Sequence, residues 1–310
     1  MAEKIYDVIM IGAGPSALTA AIYTTREDIS TVLFEKAVVG GMAAITDKID
    51  NYPGFADGIE GMELTEKMRK QAEKFGAQIE VGDVTAIRDD GDKKIVIVDG
   101  KEIQAKTILI STGSRHNKIG APGEVEYYGR GVHYCATCDG AFYRGKEIVV
   151  IGGGNSAVQE AIFLTRYVAH IDLLVRSTIK ASDVLKKELQ KNVDAGKITV
   201  HLGTVTDEIV AVDDRVASVR VTQNGKSKSI KTDGVFVFAG LKPNTHFLGG
   251  SGIKLDEDGF IITDCHLETN IPGIFASGDV RSGATMQIAS AVGEGATAAL
   301  SIREYLGSQN

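Results

Sequence analysis

Two cysteines separated by two residues, in Cys135-Ala136-Thr137-Cys138-Asp139-Gly140, form the one place in the chain where thiols lie close together. With Cys135 at or before a helix start, the two sulfurs come within bonding reach, and helix N-terminal amides then favour a reactive thiolate. Asp139, held near the sulfurs and half-buried, has the chemistry of a proton donor or acceptor. Two readings compete with redox chemistry. His133 precedes the pair and suits zinc, but structural zinc takes four ligands in paired clusters and the chain offers no second cluster. The other is an inert buried pair, although two adjacent thiols are hard to explain as packing. Cys265 has no neighbour of its kind and reads as a small core residue.

Two Gly-rich turns carry the other chemistry. Gly12-x-Gly14-x-x-Ala17 follows the apolar run Val8 to Ile11, and Gly152-x-Gly154-x-x-Ala157 follows Ile148 to Ile151, an offset of 140 residues. In each, the first Gly permits a sharp strand-to-helix turn and the second lets a pyrophosphate approach the backbone. The small third residue lets helix and strand pack closely, with the anion on the helix N-terminus. An ordinary tight turn is the alternative. The first copy has confirming context, because Glu35 ends the next strand-like run near the ~20-residue spacing of a carboxylate that grips ribose hydroxyls. In the second copy the equivalent place holds Val175 and Arg176, with no acid. A missing carboxylate and a nearby cation suit a 2′-phosphate, so NADPH is expected over NADH. The competing reading of Arg176 is a solvated strand-end charge. Opposite charge logic at two nucleotide sites implies two different dinucleotides, an electron donor and a bound flavin.

These residues need elements to hold them. Strand, turn, helix and strand recur, ending in Thr31 to Glu35 and in Ile171 to Arg176, which implies two βαβ units and parallel sheets. Added strands are expected at Gln78 to Val84, Lys94 to Val98, Thr107 to Ser111, Ile198 to Leu202, Val216 to Thr222 and Gly234 to Phe238. Helical spacing covers Glu60 to Phe75 and Asp183 to Asp194, and the Ala-rich tail Thr285 to Leu306 reads as a largely buried helix.

Composition sets the class. The 310 residues suggest two domains, and 43% hydrophobic with 24% charged residues is ordinary for a folded chain. Gly is 36 and Pro only 5, so the glycines serve tight backbone approaches and not a low-complexity linker. A net charge of -7 argues against a phosphate-backbone binder, so no nucleic acid is expected. No apolar run reaches the ~18 residues of a membrane span, and Met1 to Tyr6 carries no basic-then-apolar leader. Three cysteines in so long a chain make no disulfide framework, which leaves the cytoplasm as the expected compartment.

Taken with Asn51-Tyr52-Pro53-Gly54 and Gly273-Ile274-Phe275-Ala276-Ser277-Gly278-Asp279, these motifs resemble bacterial-type thioredoxin reductases, in family order over essentially the whole chain. The resemblance implies an α/β fold of two Rossmann-like, three-layer ββα domains, the second inserted in the first. The FAD domain would comprise residues 1–116 and 245–310, and the NADPH domain with the cysteine pair residues 117–244. It implies a homodimer that reduces thioredoxin. Cys138 would lie against the flavin, Cys135 would attack the thioredoxin disulfide, and Asp139 would be the acid-base group. The FAD site would take Gly12, Gly14, Pro15, Ser16, Ala17, Glu35, Gly40, Gly41, Asn51, Thr112, Gly113, Asp279, Gln287 and Ile288. Asp279 would hold the ribityl chain, although an Asp in that place also suits a plain turn. NADPH would take Gly152, Gly154, Asn155, Ser156, Ala157, Arg176 and Lys180. A rotation between the domains would let one flavin meet nicotinamide and disulfide in turn.

Two positions depart from the family. Its phosphate clamp reads His-Arg-Arg with a further Arg, where this chain has Val175-Arg176-Ser177 and Lys180. An Arg fork binds phosphate more richly than Lys, so NADH or reduced ferredoxin stays open as the donor. Met286 stands where the family has Arg before Gln287. A peroxide-reducing system fed by the same disulfide and a flavin-based redox sensor are the further alternatives.

Overall fold

The computed structural model describes residues 5–46, 48–91 and 93–309, so most of Met1 to Tyr6, on which the leader expectation rests, lies outside the described residues. The chain forms two compact units. One is built from the chain up to Arg115 and from Lys242 onward, and the other is His116–Leu241. The second crossing falls three residues before the expected 244/245. Asn244 is the reason: its amide donates to Gly113 O at 3.0 Å and its Nδ2 to Thr112 O at 2.8 Å, tying it to the first unit.

In the first unit, Gln78–Val81, Thr31–Glu35, Ile5–Ile11, Lys101–Ile110 and Ile274–Ala276 pair in parallel. Lys101–Ile110 is long enough to do two jobs. Along one edge its first half pairs antiparallel with Lys94–Val98, which continues to Val84–Asp89, while its last residues pair with Ile274–Ala276. Successive strand side chains point to opposite faces. Val8, Met10, Leu33 and Leu109 therefore pack under the helices Pro15–Thr25, Gly61–Lys74 and Ile288–Ser308, while Ile9, Ile11, Val32 and Ile108 pack against Val84, Ile87, Val96 and Val98 of the antiparallel layer.

The second unit repeats this plan. Ile198–Leu202, His170–Val175, Glu147–Ile151, Gly234–Val237 and Val132–His133 form a five-stranded parallel sheet. Ile148, Val150, Ile171 and Leu173 face the helices Asn155–Leu164 and Asp183–Asp194. Val149, Ile151, Leu174 and Val235 face an antiparallel sheet of Thr204–Val212, Arg215–Gln223 and Lys226–Lys231. Each unit is thus helix, parallel sheet and antiparallel sheet in three layers.

Three expectations need correction. The run Gln78 to Val84 is two strands, interrupted at Gly82, where a Cβ would lie 2.5 Å from Val98 Cγ1 and a side chain has no room. The C-terminal helix starts at Ile288, not Thr285, because Met286 sits at φ 57 and Gln287 is extended. Only one small-residue face of it, Ala291, Gly295, Ala298, Ala299 and Ile302, is buried. Cys265 is exposed instead of core. Asp264 Oδ1 accepts the amides of His266 and Glu268, both at 2.9 Å, and the turn so formed carries the thiol outward.

Candidate active site

The cysteine pair lies in the unit His116–Leu241 and is a disulfide, with the Cα atoms 5.3 Å apart. Cys135 is the extended N-cap of the short helix Ala136–Asp139, and its sulfur accepts the Cys138 amide at 3.1 Å. That donor stabilises negative charge on the sulfur once the bond is opened. Cys138 is exposed and Cys135 half-buried. Asp139 Oδ2 lies 3.1 Å from His133 Nδ1, and His133 Nε2 lies 2.7 Å from the Tyr143 hydroxyl. Sequence reading weighed His133 only as a zinc ligand and passed over Tyr143. The two-residue strand Val132–His133 was too short to show any periodicity.

The first nucleotide cradle begins at Gly12, with φ 97, where a Cβ would sit 2.5 Å from Ser111 O. Gly14 caps the helix Pro15–Thr25, and a Cβ there meets nothing within 4 Å, the open space that a pyrophosphate needs. Pro15 occupies the first helical position, where its missing N–H costs nothing. Ala17 is fully buried. Ser16 Oγ is engaged within the protein, 2.6 Å from Ser277 Oγ, which also meets Ser111 Oγ at 2.9 Å. Gly40 donates to Ala13 O at 2.8 Å, and a Cβ on Gly41 would lie 3.7 Å from Gly14 Cα, so this loop lies against the turn. Glu35 accepts the amides of Ala13 and Ala37, each at 2.9 Å, at a cleft shared with Val39, Arg69, Glu73 and Val81. Asn51 Nδ2 donates to Gln287 Oε1 at 3.0 Å, which joins two expected site residues 236 positions apart. Gln287 leads into Ile288, the first residue of the last helix. Thr112 Oγ1 donates to Asn244 O at 2.8 Å, an anchor that sequence reading missed.

Asp279 is the unpartnered group. Among the described residues nothing donates a hydrogen bond to its carboxylate, and burial, then the negative charge of Glu294, pushes its pKa up to about 6. Glu294 is itself committed to the Gly278 amide at 2.7 Å and to Arg281 at 2.7 Å. A half-buried acceptor with no donor fits a ligand hydroxyl, as the ribityl reading requires. The folded chain holds this proton to about pH 6 and the unfolded chain only to its ordinary 3.8. The folded state therefore binds more protons between those values, and stability falls as pH rises through that window. Asp279→Asn should accordingly raise the stability of cofactor-stripped protein above pH 6 by about 1–3 kcal/mol while weakening flavin retention. Thermal melts at pH 4.5 and 7.5 test this, and an equal gain at both would show that the carboxyl charge is not the cause.

The second cradle, in the other unit, repeats the first with different charge. A Cβ on Gly152, φ 147, would lie 2.5 Å from Phe238 O, while Gly154 caps Asn155–Leu164 and meets nothing within 4 Å. Asn155 Oδ1 accepts the Ser182 amide at 2.8 Å, Ser156 is exposed, and Ala157 is buried. The Lys180 amide donates to Gly153 O at 2.7 Å, which returns the segment after Arg176 to the Gly-rich turn. Arg176 and Lys180 are exposed, and neither side chain has a carboxylate partner among the described residues. Free cations and no acid fit a 2′-phosphate, so both cradles suit the nucleotides expected of them.

Comparison with known proteins places this geometry. Residues 6–295 match the family model for the pyridine nucleotide-disulphide oxidoreductases. A thioredoxin reductase of Listeria innocua is 42% identical over 307 residues, 98% of this chain and 95% of the relative. One of Bacillus subtilis is also 42% identical over 307 residues, 98% of this chain and 96% of the relative. The crystal structure of a thioredoxin reductase from Streptococcus pyogenes superposes with a TM-score of 0.93 at 39% identity, covering 98% of this chain and 99% of that one. No helix among the described residues is long and apolar enough to cross a membrane. The chain belongs to the pyridine nucleotide-disulphide oxidoreductase family and, within it, to the thioredoxin reductases, with FAD and NADPH as cofactors.

Proposed function

We propose that this chain reduces the disulfide of a thioredoxin with electrons from NADPH. The observation that carries the reading is the Cys135–Cys138 disulfide at the head of a helix, next to Asp139, in the same unit as an acid-free nucleotide cradle. A bound FAD would supply two-electron chemistry, linking hydride donation by NADPH to the opening of a disulfide into two thiols. The chain's own residues do the rest. Gly12, Gly14 and Pro15 leave room for a pyrophosphate at a helix N-terminus, Glu35 offers a fixed carboxylate to ribose, and Asp279 offers one to the ribityl chain. Gly40, Gly41, Asn51, Thr112, Gly113, Gln287 and Ile288 complete that cradle. Gly152, Gly154, Asn155, Ser156 and Ala157 form the NADPH cradle, and Arg176 with Lys180 supplies charge for the 2′-phosphate. Their lack of carboxylate partners among the described residues supports NADPH as donor despite the shortened clamp. Cys135 attacks the partner disulfide, Cys138 resolves the mixed disulfide, and Asp139 moves the proton.

The same reading has the chain acting in the cytoplasm as a homodimer, supported by its likeness to relatives over nearly their full length and by its sparse cysteines. Anaerobic titration tests the whole scheme. NADPH should bleach the yellow protein within seconds, NADH should do so more slowly, and oxidised thioredoxin should restore the colour. Bleaching by reduced ferredoxin but not by NADPH would overturn the donor, and failure of thioredoxin to restore the colour would overturn the acceptor.

A further inference from the structure

We propose that His133 is a positioning residue for the proton transfer of Asp139, an inference that rests on the function proposed above. His133 is 7% exposed, and its strand pairs it with Phe236 of Gly234–Val237. Its ring stacks on Phe236 at 5.2 Å and meets the edge of Tyr143 at 5.2 Å, so packing fixes the imidazole plane. Nε2 is hydrogen-bonded to the Tyr143 hydroxyl at 2.7 Å, and Nδ1 lies at ion-pair distance, 3.1 Å, from Asp139 Oδ2.

Tyr143 bears on which ring nitrogen carries the proton. Burial, then the charges of Asp139 and Asp233, pushes its hydroxyl up to about 12, so it keeps a proton that it can donate to Nε2. In the tautomer where Tyr143 donates to Nε2, the imidazole proton sits on Nδ1, 3.1 Å from Asp139 Oδ2, since the partner of one ring nitrogen sets the tautomer at the other. The other charged groups around the cluster are Arg215, Asp233 and Lys146, and all three act on Tyr143, with Lys146 Nζ 5.5 Å from its ring. Asp139 and Tyr143 alone reach the His133 nitrogens among the described residues.

A carboxylate that ends a four-residue helix has little else to orient it. During exchange, the Cys135 thiolate attacks one sulfur of the partner disulfide. A Cys135–partner S–S bond forms, the partner S–S bond breaks, and the departing sulfur takes the electron pair together with the proton held by Asp139. The Cys138 thiolate then attacks Cys135 Sγ, the enzyme disulfide re-forms, and the second partner sulfur leaves and takes a proton from water. The first departure draws its proton from Asp139, and His133 holds that carboxyl group in place.

A double-mutant cycle tests this, with thioredoxin and oxidised lipoamide as substrates. His133→Ala should lower kcat about tenfold with KM little changed. His133→Asn, whose amide puts a donor near the Nδ1 position, should stay within about threefold of wild type. Adding His133→Ala to Asp139→Asn should cost less than about twofold more, because the imidazole acts through the carboxylate. With an aromatic disulfide whose leaving thiolate needs no protonation, the His133→Ala loss should shrink markedly. Losses that multiply in the double variant, or a His133→Asn protein as impaired as His133→Ala, would overturn the assignment. So would a wild-type kcat in His133→Ala. If wild type reduces lipoamide but not thioredoxin, the proposed function fails, and the lipoamide rates still decide the role of His133.

Discussion

Cys138→Ser should abolish reduction of thioredoxin, lowering the rate by at least roughly 10³-fold, as loss of a covalent catalytic group does. A serine oxygen cannot replace sulfur in a reversible two-electron bond, and the thiol outside the pair, Cys265, is exposed in the other unit with no cysteine beside it in the chain, so it offers Cys135 no new partner. The variant should stay yellow, because the flavin cradle is built from the unit that the substitution leaves untouched. The two cysteines should also differ. Reduced Cys138→Ser keeps the attacking sulfur and loses the resolving one, so it should trap thioredoxin as a covalent adduct on a non-reducing gel. Cys135→Ser should trap none. An adduct with Cys135→Ser and not with Cys138→Ser would reverse the two roles.

Gly12→Ala should strongly destabilise the first unit, whereas Gly14→Ala should leave the fold alone and lose the cofactor. The two glycines share one motif but face different demands. Gly12 combines φ 97 with a Cβ position 2.5 Å from Ser111 O, a backbone atom that cannot step aside. Left-handed strain of about 1–3 kcal/mol and overpacking of about 1–3 kcal/mol add to a loss large against the stability of any domain. At ~2–4 °C per kcal/mol for a unit of this size, the melting midpoint should drop on the order of 10 °C. Gly14 has an ordinary φ of -76, and a methyl there touches nothing within 4 Å. It would instead fill space meant for a pyrophosphate. Melts of cofactor-stripped protein beside flavin content per chain separate the two effects, and a Gly14→Ala protein that keeps its flavin would remove the pyrophosphate from this turn.

Much of the site was legible because its chemistry is local in sequence. A Gly-rich turn needs a strand before it and a helix after it, all within about thirty residues, so Gly12 to Glu35 and Gly152 to Arg176 declare themselves. The Cys-x-x-Cys spacing does so within a single helical turn. Asp183–Asp194 and Lys94–Val98 follow directly from periodicity. Expectation failed where a close packing contact or a local turn, neither of them periodic, set the conformation. Gly82 breaks a strand because Val98 lies across from it, the last helix begins late because Met286 is held left-handed, and the Asp264 turn exposes Cys265.

The order of motifs, by itself, determined two nucleotide-binding units, opposite charge at their ribose ends and a redox-active cysteine pair, because each depends on neighbours along the chain. Tertiary structure alone decided that Asn51 meets Gln287, that Asp279 is left without a donor beside Glu294, and that His133 and Tyr143 stand behind Asp139. Those relations join strands, turns and helices whose separation in sequence carries no periodic signal. Side-chain burial then gives a charge or a proton there a cost, and so a function, that residue type alone does not convey.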